Sequence, residues 1–118
     1  MNNFLIDVSK DADSDITTIK LSGYIGVYQA ETLRSVLDSA INVERPRLII
    51  DIGGVHFLCS SAVSRLLAAV GEAREKNGIV VFSRIPSKIR AVFGFLDVLD
   101  YIDYATNNRE AKEAIYSS

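Results

Sequence analysis

The chain has 118 residues, a length that fits one domain with a core of its own, held without disulfides or metals. Hydrophobic residues make up 48% and charged residues 24%, an ordered globular composition, and a net charge of -2 from 13 basic and 15 acidic residues leaves no basic stripe for nucleic acid or anionic lipid. Cys59 is the only cysteine, which excludes an intramolecular disulfide and a cysteine-rich metal site; the start MNNFLIDVSKD has no basic and apolar leader, no apolar run reaches the roughly 18 to 20 residues of a membrane span, and a soluble cytoplasmic protein without a cofactor is expected.

Residues 4 to 8 and 16 to 21 alternate apolar and polar side chains with β-branched enrichment, and the polar KDADSD between them reads as a turn. They predict two strands paired antiparallel. Ser22-Gly23 follows, then a brief extended piece at Tyr24 and Ile25. Ala30, Leu33, Val36, Leu37, Ala40 and Ile41 recur at intervals of three and four, which predicts a first helix over residues 28 to 42, ended by the region of Pro46.

Residues 47 to 52 are short and almost wholly apolar, as a central strand covered on both faces should be. Gly53-Gly54 then reads as a turn in which glycine supplies positive φ; neither GxxxxGK[ST] nor GxGxxG accompanies it, so a phosphate loop is not supported. A second helix carries Val63, Leu66, Leu67, Val70 and Ala73 on one face and Arg65, Glu72, Glu75 and Lys76 on the other. It closes at Asn77-Gly78, with Gly78 expected in the left-handed position after the helix. A buried strand at 79 to 82, a third helix from Pro86-Ser87 through Leu96, a short strand near 101 to 102 and a last helix over 108 to 115 complete the order. Two strands followed by alternating helices and strands specify an α/β fold: a mixed sheet of four to five strands with about four helices packed on it.

The second helix opens with Ser60 and Ser61, where four N–H groups lack partners and the positive end of the helix dipole favours an anion. Two readings fit. Ser60 caps the helix, a role worth about 1 kcal/mol, or one of the two serines carries a phosphate, which the helix end would stabilise. His56, among Val55, Phe57 and Leu58, is expected as a hydrogen-bonded structural residue. Phe93, Phe95 and Leu96 surround Gly94 and cannot all face one side of a helix, so one or two are expected at a contact surface. Cys59 to Arg65 spells C-x5-R, the spacing of cysteine-dependent phosphatases, in which a helix dipole acidifies a thiolate and an arginine holds the phosphate. No glycine lies between the two, and the apolar rhythm places Arg65 on a helix already begun. Cys59 then reads as a small, half-buried residue.

LSGYIGVYQAETLRSVL, RLIIDIGGVHFLCSSAVSRLL and, more weakly, IPSKIRAVFGFLDVLDYI resemble the strand, turn and helix segments of the STAS domain family of bacterial anti-sigma factor antagonists. The resemblance covers nearly the whole chain and implies a STAS-like domain over residues 1 to 118. The family's hallmark reads Asp-Ser-Ser-Gly or Asp-Ser-Ala-Gly, and its phosphate acceptor is the Ser or Thr directly before the Gly. Matched here, Cys59 stands at the Asp, Ser60 at the common serine, Ser61 at the acceptor and Ala62 at the Gly, while Gly26 falls on a second family Asp before the first helix. The resemblance implies a monomeric, non-enzymatic protein that binds an anti-sigma factor kinase and releases a sigma factor, switched at Ser61, with a phosphoprotein phosphatase as the partner that resets it. Replacement of both acids by Gly26 and Cys59 supports a second reading, an unphosphorylated scaffold or transporter accessory module.

Overall fold

The computed structural model describes residues 4–118. In chain order the elements are β1 (Leu5–Lys10), β2 (Ile16–Ile25), α1 (Val27–Ile41), β3 (Arg47–Leu58), α2 (Ser60–Glu75), β4 (Ile79–Ser83), α3 (Ser87–Phe95), β5 (Asp103–Ala105) and α4 (Asn108–Tyr116). The five strands form one sheet in the order β1-β2-β3-β4-β5. β1 runs antiparallel to β2, and β2 through β5 are mutually parallel.

This strand order explains where the helices lie. Each parallel step moves the chain one strand in the same direction, and right-handed crossovers then put α1, α2 and α3 on one face. Their apolar stripes, including Leu33, Leu37, Leu66, Val70 and Phe93, close on Ile19, Leu21, Leu48, Ile50, Val80 and Phe82 of the sheet. The opposite face receives only α4, whose Ala111 and Ile115 pack on Ile16, Ile49 and Val81. Alternate residues of β3 serve the two layers, which is why that strand reads as continuously apolar.

The fold follows the expected mixed sheet, with several local corrections. Gly53-Gly54 is not a turn: β3 continues through it to Leu58, and neither glycine has positive φ. β3 carries one extra residue between the pairs Lys20↔Asp51 and Ser22↔Gly54 and another between Gly23↔Val55 and Tyr24↔Phe57. At these bulges glycine permits close approach: a Cβ on Gly54 would lie 2.8 Å from Cβ of Ser22, and one on Gly53 would lie 2.3 Å from the Arg84 guanidinium. His56 is the unmatched residue of the second bulge and is exposed, not a buried structural histidine. After α2 the left-handed position belongs to Asn77, with φ 59°, and not to Gly78. The fifth strand begins at Asp103, because the N–H groups of Tyr101 and Ile102 both bond the Val98 carbonyl and hold that stretch in a turn. Phe93 is buried while Phe95 and Leu96 are exposed, dividing the aromatic cluster as its spacing requires.

Candidate functional site

Two connections of one residue each build the site. β2 ends at Ile25 and α1 begins at Val27, leaving Gly26 as the N-cap; β3 ends at Leu58 and α2 begins at Ser60, leaving Cys59 as the N-cap. Ile25 and Leu58 are register partners, and the Cys59 N–H bonds the Ile25 carbonyl at 2.9 Å. Gly26 and Cys59, 33 positions apart in the sequence, therefore sit at neighbouring strand ends with two helix N-termini beside them.

The start of α2 lies one residue before the position that would make Ser60 a cap. The Cys59 carbonyl accepts the Val63 N–H at 3.1 Å, so Cys59 is the N-cap, Ser60 the first helical residue and Ser61 the second. Ser60 and Ser61 are both exposed, and Ser60 does not cap. Cys59 makes no side-chain capping bond of good geometry, but its sulfur occupies the cap position, 3.2 Å from Oγ of Ser61. Partial burial raises the Cys59 pKa, and the Ser61 hydroxyl together with the nearby N–H groups of Ala62, Ser61 and Cys59, whose positive ends favour the thiolate, outweighs it, leaving the thiol below its usual range. Ala62 is completely buried and turns into the core.

At Gly26 any side chain would crowd its neighbours. A Cβ there would stand 3.0 Å from Cε1 of Tyr24 and 3.2 Å from Oε1 of Gln29. Gln29 bends back to accept the Gly26 N–H at 3.1 Å, half of a capping box. Tyr24 stacks on Phe57 with ring centroids 4.6 Å apart. Val27 and Tyr28, 66% and 88% exposed, continue this apolar rim along the first turn of α1. The sequence reading missed this aromatic rim, because Tyr24 and Phe57 meet only through the bulge that displaces His56. Beyond the rim, Arg65 of α2 pairs with Glu31 of α1 at 3.7 Å.

The C-x5-R string is not a phosphate cradle. Its interior forms the first turns of α2 instead of a loop wrapped around an anion, and the Arg65 guanidinium is paired with Glu31. No group of three or more metal-ligating side chains is assembled among the described residues. Nor is any helix among them long and apolar enough to cross a membrane.

Residues 7–112 match the family profile described as the STAS domain. The chain belongs to the STAS domain family. BtrV of Bordetella bronchiseptica, named as an anti-sigma factor antagonist, is 25% identical over 101 residues, covering 83% of this chain and 84% of BtrV. Among solved structures, an anti-sigma factor antagonist from Mycobacterium paratuberculosis superposes with a TM-score of 0.84 at 18% identity, over 97% of this chain and 95% of that one. Unphosphorylated SpoIIAA gives a TM-score of 0.78 at 20% identity, over 97% of this chain and 98% of its own. Phosphorylated SpoIIAA, from Bacillus, gives 0.71 at 21% identity, over 94% and 99%. At these identities the solved structures establish the fold. The STAS fold carries the paired helix starts at Gly26 and Cys59, and neither position holds a carboxylate.

Proposed function

We propose that this STAS protein is an anti-sigma factor antagonist that docks on an anti-sigma factor kinase through the paired helix starts and is released by phosphorylation of Ser61. The observation that supports the reading best is the exposed Ser61 hydroxyl on the first turn of α2, beside an apolar rim of Tyr24, Phe57, Val27 and Tyr28. A hydroxyl in such a surface is desolvated easily in a complex. A phosphoserine carries roughly -1.5 to -2 charges and is not. Each 1.4 kcal/mol of that difference weakens binding about tenfold, so a penalty of a few kcal/mol switches the complex off. The helix dipole stabilises the phosphorylated free protein, adding to the preference for release. A phosphoprotein phosphatase acting on the same exposed position resets the cycle.

The test uses the anti-sigma kinase from the same genome. With ATP, mass spectrometry should find phosphate on Ser61, and the complex should dissociate. Ser61→Ala should still bind without being labelled, and Ser61→Asp should lose binding. Tight binding by Ser61→Asp would overturn the switch.

A second reading is favoured by one specific observation, the absence of a carboxylate at both Gly26 and Cys59. A scaffold module that binds its partner without a kinase step needs neither acid. Binding that persists with ATP, with no phosphate on Ser61, would select it.

A further inference from the structure

The sheet has two edges of different character. β5 is three residues long, a length that blunts an edge by itself. β1 is six residues long, pairs with β2 without a register shift, contains no proline, and has no strand on its outer side among the described residues. It also carries exposed apolar side chains, Leu5 at 65% and Val8 at 50%. Asp7 and Lys10 are the charges that this edge carries, and its free N–H and C=O groups form a template for another strand.

We propose that this edge pairs with β1 of a second copy of the chain, antiparallel and centred on Val8, to give a two-fold dimer with one continuous sheet. Residues directly opposite in an antiparallel pair lie on the same face, so a two-fold axis through the sheet must pass between identical residues. Two registers pair five of the six residues of β1 with β1 of the other copy, those centred on Asp7 and on Val8. Centring on Asp7 sets two carboxylates directly opposite, a like-charge pair. Centring on Val8 sets Val8 against Val8, Asp7 against Ser9 and Ile6 against Lys10. Of the two it is the register without a like-charge pair.

The surroundings of Val8 favour the same register. On the helical face Val8 forms one wall of an open groove of about 910 Å³, whose apolar lining includes Val36 and Ala40 of α1, Val43 and Leu48. Val8 of the second copy extends that wall, and the grooves of the two copies meet along the axis. The helix starts at Gly26 and Cys59 lie at the far ends of β2 and β3, which point in opposite directions in the two copies. Dimerisation therefore leaves both docking faces open, and the proposal does not depend on the switch at Ser61.

Sedimentation equilibrium of the full chain up to millimolar concentration should show a monomer–dimer equilibrium. Val8→Lys should abolish the dimer while leaving the melting temperature within about a degree, because Val8 is half exposed. The register is tested by charge. Ser9→Lys, which faces Asp7 twice across the axis, should tighten the dimer several-fold, and Ser9→Asp should weaken it by a similar factor. A chain that stays monomeric at all concentrations overturns the proposal, as does a dimer that ignores Val8→Lys or answers the two Ser9 substitutions alike.

Discussion

The sulfur of Cys59 lies 3.2 Å from the hydroxyl oxygen of Ser61, across the first turn of α2. The hydroxyl proposed to accept phosphate therefore shares a hydrogen bond with the neighbouring thiol, in which either atom can donate, and it donates once the thiol ionises. Loss of that donor should move the thiol pKa back up, and a phosphate in its place should move it further, because an anion beside the sulfur disfavours thiolate. The rate of alkylation by iodoacetamide as a function of pH reads this directly. In the unmodified protein the midpoint should fall below the ordinary thiol value of 9.0; in Ser61→Ala it should rise. A midpoint that does not move between the two would show that the Ser61 hydroxyl does not influence Cys59.

A second polar group, Asp51, is buried on the α4 face of the sheet with 2% of its surface exposed. Its Oδ1 accepts the Gly53 N–H at 2.9 Å and Nε of Arg84 at 3.0 Å, and its Oδ2 accepts the Asn108 amide at 3.1 Å. Asn108 in turn accepts the hydroxyl of Ser83. The carboxylate thus ties β3, the loop after β4 and the first turn of α4 together. Asp51→Ala leaves the Gly53 N–H, Arg84 and Asn108 without their acceptor and should lower stability by about 2 kcal/mol, the usual cost of leaving buried hydrogen-bonding groups unsatisfied. Urea unfolding measures it, and a loss below about 1 kcal/mol would assign the tie to packing alone. Arg84→Ala should also destabilise, because it leaves the buried Asp51 carboxylate without its cation, held only by the Gly53 and Asn108 hydrogen bonds.

Most of the architecture was legible because it depends on period. The spacing from Ala30 to Ile41 and from Val63 to Ala73 located both large helices to within a residue or two, and the apolar run 47 to 52 marked the central strand. What was not legible depends on three-dimensional meetings. Gly53-Gly54 has the composition of a turn, and only the neighbouring Arg84 and Ser22 show that the glycines make room inside a bulged strand. Asp51 was read as one residue of an apolar strand, although a lone acid there already implies buried partners. The capping assignment to Ser60 failed by one residue, because the Cys59 N–H is drawn to Ile25 of a different strand. The candidate site was proposed through the family resemblance, and its aromatic rim required the fold.

The turn after α2 allows a sharp test of two neighbouring residues. The N–H groups of Asn77 and Gly78 bond the carbonyls of Arg74 and Ala73, the two bonds of a Schellman motif, with Asn77 in the left-handed position. The Pro46 carbonyl, which accepts the Ile79 N–H at 2.8 Å, would lie 2.0 Å from a Cβ on Gly78. Gly78→Ala should therefore cost about 2 kcal/mol or more, because backbone has to move. Asn77→Gly should be neutral within about 1 kcal/mol, since glycine accepts the conformation that asparagine already tolerates. Thermal unfolding of both variants checks the pair, and equal effects would contradict the assignment of roles.

Lys112 of α4 reaches Asp11, in the turn between β1 and β2, with Nζ 2.7 Å from Oδ2. The hydrogen bond to Lys112 holds the Asp11 pKa below its ordinary 3.8, helped by the Ser14 hydroxyl and opposed by slight desolvation. The same bond raises Lys112 above its ordinary 10.5. A lowered carboxyl pKa means that the unfolded chain binds the proton more readily. The stabilisation is then present above the ordinary carboxyl value and is lost as pH falls through the folded value. For the raised lysine it is present below the ordinary value and is lost as pH rises through the folded one. Between these limits the contribution is flat. The difference in melting temperature between the parent and Asp11→Asn should therefore be constant near neutrality and close as the pH drops below 3.8. Both groups face solvent, so the difference should be small and should shrink further in high salt. A difference that instead grows on acidification would mean that the carboxylate at Asp11 opposes folding.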